Sequence, residues 1–257
     1  MMKIRTMQSF MSSNEDPEIL FWVGCAGSYD ERYKKVTKSF VNILNKLKVD
    51  FAILGDEEGC TGDPARRSGN EYLFQMQAVN NISILNKYNI KRIVTLCPHC
   101  FNTIKNEYPA LGGNYEVVHH SQLLNEFIKE GKIISEKINK KISYHDSCYL
   151  GRGNNIYDAP REIINSITDN IKELKRNKKN GLCCGAGGSQ IFKESEAGKV
   201  EINLERVKDI EDIKPDAVVS ACPFCMTMLT DGVSQRNLNN DIKVIDIAEL
   251  VEKNLKN

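Results

Sequence analysis

No stretch of this chain is long and apolar enough to cross a bilayer. The longest apolar runs, such as Ile93-Val94-Thr95-Leu96 and Ala217-Val218-Val219, are strand-sized. Charge of either sign is not in excess: 35 Lys and Arg against 34 Asp and Glu leave a net +1, which gives no polyphosphate track and no acidic tail, so nucleic acid is not an expected partner. The first 17 residues are rich in Met and Ser but have neither an apolar core of signal-peptide length nor a small-residue cleavage site. They are expected to form a disordered N-terminal extension (1–17), and the compartment expected is the cytoplasm.

What the chain does have is cysteine. Nine cysteines without an export signal, and in an odd number, point to metal ligands or redox groups and away from a disulfide framework. A length of 257 residues allows one large domain or two of roughly 100–130 residues.

Strand and helix patterns alternate. Glu18 to Gly24 reads as a buried strand ending at Cys25, followed by a helix with Val36, Phe40, Ile43, Leu44 and Leu47 on one face. Asp50–Leu54 is a second strand running into the loop that carries Cys60. A helix over 69–88 leads to a third strand, Lys91–Leu96, which delivers Cys97-Pro98-His99-Cys100; a strand near 115–119 and a helix over 121–130 finish this half. The basic stretch 131–141 reads as a linker, and the pattern then restarts. A strand at Lys141–His145 leads to Cys148, a helix covers 159–167, and strand-like Ile171–Leu174 precedes Cys183-Cys184. A long helix is expected over Ser189–Asp209. A strand at Asp216–Ser220 then delivers Cys222-Pro223-Phe224-Cys225, before a last strand at Val244-Ile245 and a helix from Ile247. This alternation predicts an α/β fold with mostly parallel sheets, and the cysteines fall after strand ends, the edge where open α/β sheets bind ligands.

The halves superimpose by subtraction. Cys148 minus Cys25 and Cys183 minus Cys60 are both 123, while Cys222 minus Cys97 and Cys225 minus Cys100 are both 125. Four pairs in register to within two residues indicate an internal duplication, with a first half at 18–130 and a second at 142–257. Each half supplies a cysteine, another thirty-five residues on, and then a Cys-x-x-Cys about thirty-seven later. A Cys-x-x-Cys after a strand sets two thiolates on one turn, and two more from other strand ends complete a four-thiolate set.

The halves differ at one position: the second has Cys183-Cys184-Gly185 where the first has Cys60-Thr61-Gly62. Four thiols (Cys25, Cys60, Cys97, Cys100) suit a [4Fe-4S] cluster or a zinc ion. Five (Cys148, Cys183, Cys184, Cys222, Cys225) exceed what tetrahedral zinc uses, and argue for a multi-iron cluster or a redox-active thiol beside a metal.

These residues carry a resemblance. Cys148, Cys183-Cys184-Gly185 and Cys222-Pro-Phe-Cys225 resemble the cysteine-rich "CCG" domain of heterodisulfide reductase B-type and D-type subunits, a domain found also in the C-type subunit of anaerobic glycerol-3-phosphate dehydrogenase and in glycolate and lactate oxidase iron–sulfur subunits. Phe21-Trp-Val-Gly-Cys25-Ala-Gly-Ser, Cys60-Thr-Gly-Asp-Pro-Ala-Arg-Arg67 and Cys97-Pro-His-Cys100 are similar to membrane-associated iron–sulfur oxidoreductases of the D type. The resemblance implies two Rossmann-like halves and an iron–sulfur oxidoreductase. It further implies a non-cubane [4Fe-4S] cluster held by Cys148, Cys183, Cys184, Cys222 and Cys225, with the chemistry at Cys183 and Cys184 and electrons passed to or from a disulfide or another redox partner. Thr61 departs from the pattern, and the upstream ferredoxin-like cysteine segment and membrane helices of longer relatives are not found here. Electrons are therefore expected from a ferredoxin-like iron–sulfur subunit or a flavoprotein, with membrane association, if any, through a partner. Two other readings stand beside this one: a pure relay between a flavoprotein or hydroxy-acid dehydrogenase and a quinone- or ferredoxin-linked partner, and a structural zinc scaffold.

Among the remaining polar residues, His145 and His99 could tune a metal group or donate a proton, but the reading favoured for both is an ordinary hydrogen-bonded histidine at the sheet edge. His119-His120 mark a strand end. Arg66-Arg67 would offset cluster charge, bind an acidic partner or form a solvated helix start. Gly151-Arg152-Gly153 matches a dinucleotide loop only in part.

Overall fold

The computed structural model describes residues 4–194 and 197–256. The chain is α/β and divides between Leu123 and Leu124 into two compact units, each with its own parallel sheet.

The first unit contains β1 (Arg5–Thr6), α1 (Met7–Ser12), β2 (Ile19–Trp22), α2 (Gly24–Tyr29), α3 (Tyr33–Lys46), β3 (Phe51–Ile53), α4 (Asp63–Arg67), α5 (Glu71–Lys87), β4 (Arg92–Thr95), α6 (Pro98–Asn102) and β5 (Glu116–His119), with α7 (His120–Lys129) running across the division. Its sheet has the order β1-β3-β2-β4-β5, every pair parallel. The central strands β2 and β4 are short runs buried along almost all of their length, as expected where helices cover a parallel sheet. In α3, Val36, Phe40, Ile43 and Leu44 recur at helical spacing and are fully buried, each contributing up to about 1.5–3 kcal/mol of apolar burial.

The second unit contains β6 (Ile142–Tyr144), α8 (Asp158–Ile167), α9 (Ile202–Ile213), β7 (Ala217–Ser220), α10 (Pro223–Gln235), β8 (Lys243–Asp246) and α11 (Ile247–Asn254), with the sheet β6-β7-β8 again parallel. The duplication is kept in the register of the sheets. Phe21 pairs with Val94, and Tyr144, 123 residues on, pairs with Val219, 125 residues on.

Three segments differ from the sequence expectations. Residues 5–12 are not frayed: β1 pairs with β3, Thr6 caps α1 by accepting from the Ser9 N–H, and Phe10 is fully buried with the Arg5 guanidinium over its ring. A Met- and Ser-rich composition hid one amphipathic turn. The helix expected over Ser189–Asp209 begins only at Ile202. Gly188 and Ser189 both take positive φ, which interrupts a right-handed helix, and a short 3₁₀ turn, Gln190–Phe192, follows them; residues 195–196 lie outside the described residues. Strand-like Ile171–Leu174 contributes one parallel bridge, Ile142 to Ile171, so among the described residues the second sheet has no counterpart of β3. The stretch read as a linker is tied to the second unit by a Ser135–Leu255 bridge.

Candidate metal centre

In the second unit β6 and β7 aim their C-terminal ends at one place. Cys148 follows β6 by one turn. Cys222 sits at the N-cap of α10 with Pro223 at the first helical position, where proline's missing N–H and fixed φ cost nothing, and Cys225 lies in the first turn, both thiols at the positive end of the helix. The loop between α8 and α9 brings in Cys183-Cys184-Gly185. Gly185 takes φ +100°, and its N–H, 3.3 Å from Cys183 Sγ, donates to that sulfur. A β-carbon at Gly187 would lie 3.9 Å from the same sulfur, so the loop backbone runs close beside it.

The five thiols form one continuous set of contacts. Cys148 meets Cys183, Cys183 meets Cys184, Cys184 meets Cys225, and Cys225 meets Cys222. Contact with Cys183 and burial push the Cys148 thiol well up. Contacts with Cys184 and Cys222 do the same to Cys225, and contact with Cys183 does so to Cys184. Cys183 is instead held down, by hydrogen bonds from Cys148 and Cys184 and from the Gly185 and Gly187 amides. Cys184, Cys222 and Cys225 are 3%, 1% and 3% exposed, while Cys183 and Cys148 are half-buried. Cys183 lines a cavity of 580 Å³ with Gln190, Lys193, Asn203, Met228 and Asp231.

The first unit repeats the plan with four thiols. Cys97 caps α6, Pro98 is at its start and Cys100 in its first turn. Cys25 follows Gly24, whose φ is +76° and whose added β-carbon would lie 3.5 Å from Cys100 Sγ. Cys60 Sγ accepts from the Gly62 N–H at 3.5 Å, as Cys183 does from Gly185. Burial, followed by Cys97 and Cys60, pushes the Cys25 thiol up to about 11; Cys100 is raised by Cys97, by burial and then by Cys25 and Cys60. Thr61, in the place of Cys184, points its hydroxyl at Cys100 Sγ, 3.9 Å away.

Several residues that hold these loops were not singled out from sequence. Asn81 Nδ2 donates to the Cys60 carbonyl (2.8 Å) and to the Tyr108 hydroxyl (3.0 Å), and that hydroxyl donates to the Thr61 carbonyl (3.1 Å). Arg161 clamps Asp146 through two bonds of 2.8 and 2.9 Å and Glu173 through two of 2.6 and 2.8 Å. Asp146 also accepts from the Lys178 N–H, which ties the approach to Cys148 to the approach to Cys183. Arg206, fully buried, donates from Nε to His145 Nδ1 (3.0 Å) and from Nη1 to Asp209 (3.0 Å) and the Arg176 carbonyl (2.7 Å). Burial, with the Arg206 charge beside it, pulls the His145 pKa down to about 3, so its imidazole is neutral. A ring nitrogen of His145 and the sulfurs of Cys184 and Cys225 all lie within 4.8 Å of one another. The signal available in sequence was a charged residue at an apolar phase of a helix: Arg206 beside Val207, and Arg161 near Ile163 and Ile164.

His99 Nδ1 is 2.9 Å from Asp63 Oδ2, so its ring is engaged by a carboxylate. Arg66 and Arg67 bind Glu107, and Arg67 also binds Asp63 at 3.0 Å; both guanidinium groups are therefore spent inside the unit. His119 ends β5 and His120 begins α7, and Arg152 of Gly151-Arg152-Gly153 donates to the Gly181 carbonyl.

The duplicated cysteine pattern matches the cysteine-rich domain of the CCG type twice, over residues 19–105 and 142–230. The chain belongs to the CCG cysteine-rich domain family. An EtfAB:quinone oxidoreductase of Syntrophomonas wolfei is 43% identical over 243 residues, covering 92% of this chain and 34% of that protein. A Bacillus subtilis protein named "Probable iron-sulfur-binding oxidoreductase FadF" is 42% identical over 255 residues, covering 98% of this chain and 36% of its own. The D-type subunit of a Methanosarcina barkeri dihydromethanophenazine:CoB–CoM heterodisulfide reductase is 37% identical over 246 residues, covering 93% and 59%. The chain thus spans from about a third to three-fifths of the length of these relatives. Among the described residues, no helix is long and apolar enough to cross a membrane.

Proposed function

We propose that this chain is the cysteine-rich part of an iron–sulfur oxidoreductase, with a [4Fe-4S] cluster, of the non-cubane kind, held by Cys148, Cys183, Cys184, Cys222 and Cys225. The observation that carries the reading is the unbroken contact of five thiols in the second unit. Five sulfur donors are more than one tetrahedral zinc ion takes, and the Cys148, Cys184 and Cys225 thiols, pushed up by their thiol neighbours, favour a cationic group that lets them lose their protons. When bound, such a cluster supplies one-electron transfer.

This chain's own residues do the rest. The start of α10 and the Gly185 and Gly187 amides direct positive dipoles at thiolate sulfur, and the buried Cys184, Cys222 and Cys225 keep water from one side. Cys183 and Cys184 are the proposed reactive pair, with Cys183 open to the cavity in which a disulfide or another redox partner would meet the site. The first unit's Cys25, Cys60, Cys97 and Cys100 form a four-thiolate site for a conventional [4Fe-4S] cluster or one zinc ion.

Likeness to an EtfAB:quinone oxidoreductase supports a second reading, in which the chain relays electrons between a flavoprotein and a quinone-linked acceptor and cleaves no disulfide. In either case the electron source is a ferredoxin-like or flavoprotein centre. Anaerobic purification with iron, zinc and sulfide analysis and electron paramagnetic resonance tests the proposal, repeated on Cys184→Ser. Iron with sulfide, and a signal altered by Cys184→Ser, are expected. Zinc alone, or a spectrum indifferent to Cys184, refutes it.

A further inference from the structure

The same place in each repeat carries a buried ring N–H that nothing among the described residues accepts. His145 lies three residues before Cys148, and Trp22 three before Cys25. They are 1% and 0% exposed, and among the described residues neither His145 Nε2 nor Trp22 Nε1 has a hydrogen-bond partner. Both stand at the cysteine-delivering end of a strand: Trp22 opposite Thr95 in β4, and His145 with its backbone N–H donating to Val219 of β7. Buried donors are almost always paired, so a repeated exception points to an acceptor that belongs to the site.

For His145 the direction of that donor is fixed. Arg206 Nε, which can only donate, lies 3.0 Å from His145 Nδ1. Nδ1 is therefore the lone-pair nitrogen, and the proton of the neutral ring is on Nε2. A protonated nitrogen cannot ligate a metal. His145, Cys184 and Cys225 are close enough to suggest a mixed His–Cys metal site, but this tautomer excludes it on the Nε2 side.

We propose that His145 Nε2–H donates a hydrogen bond to the sulfur of the second unit's metal group, on the side of Cys184 and Cys225, and that Arg206 is the positioning residue that keeps the proton there. This rests on the reading of that group as an iron–sulfur cluster. Hydrogen bonds to cluster sulfur favour the reduced, more negative form, which makes His145 a determinant of the reduction potential.

The test begins with iron and sulfide analysis of wild type, His145→Phe and His145→Gln, followed by redox titration of the cluster signal. His145→Phe is expected to lower the equilibrium constant for one-electron reduction about tenfold, close to 59 mV. His145→Gln, whose amide N–H reaches nearly as far as Nε2, is expected to recover most of it. In parallel, wild type labelled with ¹⁵N-histidine should show a weak hyperfine coupling to one histidine nitrogen, lost in His145→Gln. Equal potentials in loaded wild type and His145→Phe overturn the donor, as does a labelled wild type with no coupling or with the strong coupling of a bound imidazole. If His145→Phe does not fold, the labelled wild type decides. Wild type without iron and sulfide overturns the cluster reading itself, and the donor with it.

Discussion

The Thr61 hydroxyl lies 3.9 Å from Cys100 Sγ, and one repeat later the corresponding contact is made by the Cys184 and Cys225 thiols. A single side chain thus separates a four-sulfur site from a five-sulfur one on the same backbone plan. Exchanging the two is the direct test. Cys184→Thr is expected to abolish the second unit's distinctive paramagnetic signal, and Thr61→Cys to create a similar one in the first, both read by electron paramagnetic resonance on anaerobically prepared protein.

Arg161 holds Asp146 in a paired, bidentate contact with both groups buried. Arg161→Met removes the cation and strands the carboxylate. The expected cost is about 3–5 kcal/mol, almost all of it from Asp146 because Glu173 is partly solvated. A fall in the urea midpoint with an unchanged slope checks it.

Asp209 gives a pH dependence of known sign. Burial would raise its pKa, but Arg176 and then Arg206 more than offset this, so it lies below the ordinary 3.8. A depressed carboxylate contributes stability above its unfolded pKa and loses it as pH falls through the folded one. In reduced, cluster-free protein, Asp209→Asn should be clearly less stable than wild type at pH 7, and the difference should shrink below pH 4. Chemical denaturation at several pH values reads the difference, and a gap that widens on acidification contradicts it.

Gly62 and Gly185 occupy equivalent places, both at positive φ (+89° and +100°). A β-carbon at Gly62 would sit 2.8 Å from the Phe74 ring and 3.2 Å from its carbonyl oxygen, whereas at Gly185 the nearest atoms are at 3.3 Å. Alanine at either site carries backbone strain of about 1–2 kcal/mol. Gly62→Ala is expected to lower the melting temperature more than Gly185→Ala, since its clash includes backbone that cannot swing away.

Most of the strands and the pairing of cysteines between the halves were legible because their signals are local or arithmetical. Ile19–Trp22 and Ala217–Ser220 are buried on both faces and so read as apolar runs, and the 123-residue offset paired Cys25 with Cys148 from sequence alone. What escaped depended on partners far along the chain. Arg206 and Arg161 look like solvent-facing helix residues until His145 and Asp146 are placed beside them. The helix expected over Ser189–Asp209 failed because a helical period does not report the positive φ of Gly188 and Ser189. Residues 5–12 were missed because one edge strand gains its stability from pairing with β3, a contact that no local pattern reveals.

The second sheet ends at β6, apart from the bridge to Ile171, whereas in the first unit β3 is paired on both sides before the chain reaches Cys60. The segment leading to Cys183 and Cys184 is held by side chains instead: Arg161 on Asp146 and Glu173, Asp146 on the Lys178 amide, and Arg206 on the Arg176 carbonyl. Such a segment can swing out and return without unzipping a ladder, so its opening free energy is set separately from that of the sheet. That is the property a protein needs if a preassembled inorganic core is to be inserted after the polypeptide has folded. Amide exchange over 174–183 faster than over Ala217–Ser220 would show that this doorway opens independently.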